Sequence, residues 1–217
     1  MSGADLANSE LLLWSLIDER ARPGADIDAV DAQIWATFGE HWTVMSTDLS
    51  GFSRHVSEFG IMHFLQVIHE FKRVVRPIIA AYEGILVKAE ADSLLLLFKT
   101  PDQAVACAAA MQHACHEASS GRPAHEHIVL CVGLGHGPVL RVGDSDVFGA
   151  EVNGACKLGE DTAGAHEILV TTAFRDAYTG EADFEPIHHT IAGVAPAYRL
   201  RYEATRSGAT MVSSNLE

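Results

Sequence analysis

No apolar run in this 217-residue chain approaches the ~18 residues that a helix needs to cross a bilayer. The first basic residue is Arg20, so no positively charged segment precedes Leu11-Leu12-Leu13 as it does in a secretory leader, and the chain is expected to be soluble and cytoplasmic. Basic residues are scarce: 15 Lys and Arg stand against 29 Asp and Glu, a formal charge of −14. Such a surface repels nucleic acid and anionic membranes, so any phosphate it binds must meet a local cluster of cations, backbone dipoles or metal. Cysteine is sparse too. Cys107, Cys115, Cys131 and Cys156 show no C-x-x-C spacing and lie in apolar segments, which points to free buried thiols rather than zinc ligands or disulfides. Internal repeats are absent.

The chain has 48% apolar and 20% charged residues, which excludes wholesale disorder. Its length suits one domain burying roughly 70% of its unfolded surface plus a short appendage. Residues 1–40 form that appendage, a helical segment with a dimerisation or regulatory role or simple packing on its own domain. Leu11, Leu12, Trp14, Leu16 and Ile17 suggest a short helix ending before Arg22-Pro23-Gly24, and Asp26 caps a second with Ile27, Val30, Ile34 and Phe38 at helical spacing. The main domain is placed at 41–203 and a loose tail at 204–217.

Within the main domain, Trp42 to Met45 reads as a strand leading to Asp48. The stripe Ile61, Phe64, Leu65, Ile68, Phe71, Val75, Ile78, Ile79 and Tyr82 is a helix laid on a sheet, with Pro77 predicting a kink or break near Arg73. A hairpin pairs Ile85–Glu90 with Ser93–Phe98. Thr100, Pro101 and Gln103 open an Ala-rich helix with a capping box, and Gly121 stops it. His113, His116, His125 and His127 are spaced for a metal but also suit a polar face. Ile128 to Leu134 is a strand, Gly135-His136-Gly137-Pro138 a turn, and Val139 to Val142 a second strand. From Gly149 a helix presents Asn153 and Lys157 on one face. A strand at Ile168–Val170, a short helix near Ala173–Tyr178 and a last hairpin of Phe184–Thr190 with Ala197–Tyr202 complete an α+β fold: a mainly antiparallel sheet with helices packed on it.

Asp48 and Asp92 stand out because each ends an apolar strand. Turns favour Asp for local hydrogen bonds, yet two such acids that meet make a hard-oxygen site for a divalent ion. Gly51 allows a tight turn whose N–H groups face an anion. Taken in order, Asp48-Leu49-Ser50-Gly51-Phe52-Ser53, Lys88-Ala89-Glu90-Ala91-Asp92 and Asp146-Val147-Phe148-Gly149-Ala150-Glu151-Val152-Asn153 resemble the catalytic domain of class III adenylate and guanylate cyclases, over about Trp42 to Tyr202.

That resemblance implies a ferredoxin-like core and an enzyme that joins the ribose 3′-oxygen of a nucleoside triphosphate to its α-phosphate, expelling pyrophosphate. It implies two Mg²⁺ or Mn²⁺ ions per site on Asp48, Asp92 and the carbonyl of Leu49, with Gly51, Phe52 and Ser53 receiving the phosphates. Lys88 and Asp146 match the family's adenine-reading pair, which favours ATP over GTP, and a GTP or pyrimidine-nucleotide cyclase is the alternative. Asn153 matches the ribose-orienting Asn. Lys157 stands where the family usually has a transition-state Arg, and loses the planar fork that grips two oxygens. The family's Leu-Lys-Gly turn reads Ile191-Ala192-Gly193, with Arg199 or Arg201 as possible substitutes for its Lys, and Ala91 replaces the Gly before the metal Asp. The resemblance further implies a head-to-tail homodimer whose metal acids come from one subunit and whose Lys88, Asp146, Asn153 and Lys157 come from the other. A cyclase-like module that holds nucleotide or metal without turnover is the competing class.

Overall fold

The structure, a computed structural model, describes residues 3–51, 57–187 and 196–202. Phe52, Ser53, the Ile191-Ala192-Gly193 turn and the 204–217 tail lie outside these. The chain opens with helices α1 (Gly3–Arg20) and α2 (Ile27–Phe38), then strand β1 (Gly39–Leu49), helix α3 (Ile61–Ala81), strands β2 (Ile85–Glu90) and β3 (Ser93–Phe98), and helix α4 (Pro101–Ser119). Strands β4 (Leu130–Val142) and β5 (Asp146–Phe148), helix α5 (Ala150–Cys156), a π-helical turn (Lys157–Thr162), β6 (Ile168–Thr171), α6 (Thr172–Ala177), β7 (Asp183–Pro186) and β8 (Ala197–Arg201) follow.

Local signals start the helices as the sequence dictates. The Asp26 carboxylate accepts from Ala29 N–H at 3.1 Å, and Thr100 and Gln103 close a capping box. The hairpin of β2 and β3 has the expected bounds, turning through Ala91 at φ 47°. The strands run β2-β3-β1-β4-β6-β8-β7, with β5 hydrogen-bonded to β4. Strands β2, β3, β1 and β4 pair antiparallel, with α3 and α4 on one face, which is the ferredoxin-like arrangement. The pairing of β4 with β6 is parallel.

Strand alternation divides the core. Met45, Leu49, Leu94, Leu96, Leu130, Val132 and Leu134 face Phe71, Val75 and Ile79 of α3 and Cys107 and Met111 of α4. Val44, Leu97 and Val139 face the other way, against Val152 and Ala155 of α5. The β3 run Leu94–Phe98 feeds both layers, which is why it carries no polar alternation. Leu13 and Leu16 of α1 pack with Val30, Ile34 and Phe38 of α2 onto Val142, so the appended helices seat on their own domain. Cys107, Cys115, Cys131 and Cys156 are free thiols, and burial pushes Cys107 up to about 12.

Three expectations need correction. The Gly135–Pro138 segment is not a turn: β4 runs unbroken for 13 residues beside β1. Its glycines are there for packing, since a Cβ on Gly133 would lie 2.1 Å from the Ala155 carbonyl oxygen and one on Gly135 would lie 2.4 Å from that of Glu151. Helix α3 runs through Pro77 without a break. Phe71, Val75 and Ile79 are buried on both sides of that position, and this packing outweighs one lost backbone bond near the helix end. The strand read at Trp42–Met45 is longer than expected: β1 runs from Gly39 to Leu49 and carries Asp48 as its last residue but one, opposite Cys131.

Candidate active site

Two groups of polar side chains gather on the sheet. At the first, the register Thr47 to Leu94 brings Asp48 beside the start of β3, where the Ser93 hydroxyl donates to Asp48 Oδ1 at 3.3 Å. Asp92 occupies the hairpin tip next door and is only 7% exposed. Burial, then the Asp92 charge, push the Asp48 carboxyl up to about 6, against a smaller opposing effect of the Ser93 bond. Burial likewise raises Asp92. Gly51, just after β1, has φ 90°, which an L side chain rarely adopts.

The second group lies farther along the hairpin. Lys88 donates to Asp146 Oδ2 at 2.8 Å, while Asp146 Oδ1 accepts from Val147 N–H at 2.8 Å. They flank a cleft of about 320 Å³ whose other walls include Ser93, Phe148, Cys156 and Glu160. Ser93 therefore belongs to both groups, so the acids and the Lys–Asp pair share one surface. Asn153 stands exposed on α5, whose contributions to the cleft wall are Val152 and Cys156. Lys157 begins the π-helical turn, its N–H bonded to Asn153 and Gly154 carbonyls.

That turn was not legible from the sequence, and it delivers Glu160. The Ser46 hydroxyl donates to Glu160 Oε1 at 2.7 Å, and the Glu160 charge raises the pKa of both Asp48 and Asp92. The turn reaches this close because residue 159 is glycine: a Cβ there would lie 2.6 Å from the Ser46 carbonyl oxygen. Glycine at 159 was the available signal, but it reads equally as a loop. Arg199 and Arg201, the candidate substitutes for the missing turn lysine, are engaged elsewhere. Arg199 pairs with Glu167 and Arg201 with Glu185, each at 2.7 Å, beside a separate cavity of about 520 Å³.

Comparison with known proteins gives this geometry a family. A model of the adenylate and guanylate cyclase catalytic domain matches residues 36–192. A Rhizobium meliloti (strain 1021) protein provisionally named adenylate cyclase 3 is 29% identical over 142 residues, 65% of this chain and 24% of that protein. The serine/threonine-protein kinase pkn2 of Myxococcus xanthus is 29% identical over 148 residues, 68% of this chain and 18% of that protein. The chain thus spans a quarter or less of these curated relatives. Among solved structures, an adenylate/guanylate cyclase/hydrolase from Silicibacter pomeroyi has a TM-score of 0.63 at 22% identity, covering 76% of this chain and 98% of that one. An adenylate cyclase from Trypanosoma brucei in its monomeric state gives 0.61 at 17%, covering 78% and 91%. These likenesses establish the fold, and with the family match they place the chain among the class III adenylate and guanylate cyclase catalytic domains.

Proposed function

We propose that the chain converts ATP to cyclic AMP and pyrophosphate at a site shared by two copies of itself. The observation that carries this reading is the Lys88–Asp146 pair at 2.8 Å in the cleft. A cation and a carboxylate side by side offer one donor and one acceptor. Adenine presents an acceptor ring nitrogen beside a donor amine, whereas guanine presents a carbonyl where adenine has the amine, leaving Asp146 without a donor and exposed to repulsion.

The chain's other donor set, which in such a dimer meets the Lys88–Asp146 pair of the second copy, suits a divalent cation. Asp48, partly buried, and Asp92, buried, supply carboxylate oxygens whose pKa values burial raises, a setting in which a bound cation relieves uncompensated charge. Mg²⁺ or Mn²⁺, with the Leu49 carbonyl as a further ligand, would supply a more acidic 3′-hydroxyl and neutralise the departing pyrophosphate. The chain's own residues then position and balance charge. Lys88 and Asp146 hold the base, Asn153 orients the ribose, Lys157 offsets charge on the α-phosphate, and the backbone from Gly51 receives the phosphates. Lys157 in place of an arginine lends support to a second reading, a nucleotide-binding module with little turnover.

Product formation separates the two. Purified protein with Mn²⁺ and ATP is expected to yield cyclic AMP above an Asp92→Ala blank, with less product from GTP. Nucleotide binding without product would favour the binding module, and preference for GTP would overturn the base assignment.

A further inference from the structure

Phe148 forms part of two cavity walls. One is the cleft that holds Lys88 and Asp146. The other is a smaller cavity of about 130 Å³ lined by Glu10, Leu13 and Trp14 of α1 together with Val142, Ser145 and Asp146. Trp14 meets Phe148 edge to face, with ring centroids 6.4 Å apart and planes at 72°. Asp146 and Phe148 are two apart on β5, hence on the same side of that strand. This strand has three residues and pairs with β4 at the end of the long strand, Val142 opposite Asp146 and Leu140 opposite Phe148. Leu140 and Val142 in turn belong to the apolar cluster that seats α1 and α2. So short a strand is poorly fixed by its own hydrogen bonds; Lys88 of β2 holds Asp146 from one side, and Trp14 of α1 meets Phe148 from the other.

We propose that α1, through Trp14, is a positioning element for the substrate base: it sets the wall formed by Phe148 and the placement of Asp146, and so the affinity for the nucleotide. The inference rests on the reading of Lys88 and Asp146 as the base-contacting pair. Trp14 does not touch the substrate; it acts through Phe148. Because Trp14 is itself 49% exposed while Leu13 and Leu16 anchor the helix, truncating it leaves α1 seated and removes one side of the wall.

The test is calorimetric binding of 3′-deoxy-ATP, which lacks the attacking hydroxyl, to wild type, Trp14→Ala, Trp14→Phe and Leu11→Ala, with melting temperatures in parallel. Trp14→Ala is expected to weaken binding about fivefold, the scale of one lost aromatic pair. Trp14→Phe should restore most of the loss, and Leu11→Ala, which alters the same helix on its exposed side, should bind as wild type. In turnover Trp14→Ala raises KM while kcat holds. Wild-type affinity in Trp14→Ala, or an equal loss in Leu11→Ala, overturns the inference and leaves the proposed function standing. If the wild-type protein binds no 3′-deoxy-ATP, both fall.

Discussion

The acidic end of the site and the Lys88–Asp146 cleft share one sheet but are built in contrasting ways. Asp48 sits in β1, a central strand hydrogen-bonded on both sides, and Asp92 is held in the tight tip of a hairpin. Asp146 hangs on a three-residue strand at the margin, held by β4, by Lys88 and, through Phe148, by Trp14 of α1. Under the proposed function, the metal-holding acids are placed by the centre of the fold and the base-contacting pair by an outlying element beside α1. Catalysis tolerates little misplacement, whereas recognition can be tuned, and the two kinds of support suit those demands.

The largest break in this contrast should come at the centre. Asp48→Ala is expected to lower the cyclisation rate at least about a hundredfold, the usual scale for removing a group that organises metal and charge. Asp48→Asn carries an opposite signature in stability. Its folded pKa of about 6 lies above the ordinary 3.8, so the group's contribution to stability is present below pH 3.8 and lost as pH rises through about 6. In metal-free protein at pH 8 the Asn variant should therefore melt at a higher temperature than wild type, and a lower melting temperature would contradict the burial account.

At the margin, effects should be smaller and fall on discrimination. Lys88→Ala is expected to reduce the preference for ATP over GTP about tenfold in kcat/KM, since one polar partner is lost on one base only. Lys157→Arg should raise kcat several-fold by restoring a bidentate grip on phosphate oxygens, read from initial rates at saturating ATP. The smallest effect belongs to the hairpin tip. Ala91, at φ 47°, pays a left-handed penalty that glycine escapes, so Ala91→Gly should stabilise the protein by up to about 1 kcal/mol in urea unfolding.

Elements whose ends are set by short-range chemistry were legible in the sequence. Asp26 and the Thr100/Gln103 box start their helices, and the β2–β3 hairpin brackets Ala91 and Asp92 where the pattern placed them. The misread elements depend on distant packing. Gly135 and Gly137 resemble a turn in one dimension, but they are the surface against which α5 lies, and only the folded chain shows Glu151 above them. The π-helical turn and its Glu160, the short strand β5 and the contact of Trp14 with Phe148 arise the same way, from elements brought together across long stretches of sequence. Asp48, Asp92, Lys88 and Asp146 were singled out because their spacing resembles a family; the folded sheet brings Lys88 against Asp146 and Ser93 against Asp48.

The most direct test of a site shared between two copies is complementation. Asp48→Ala and Asn153→Ala are each expected to be nearly inactive alone, because each damages both sites of a symmetric dimer. Mixed in equal amounts and allowed to exchange, half of the dimers carry one intact site, so activity should return to about a quarter of wild type. Recovery at that level supports a site completed across the dimer. A mixture as inactive as its components, with exchange verified by differently tagged chains, would contradict it.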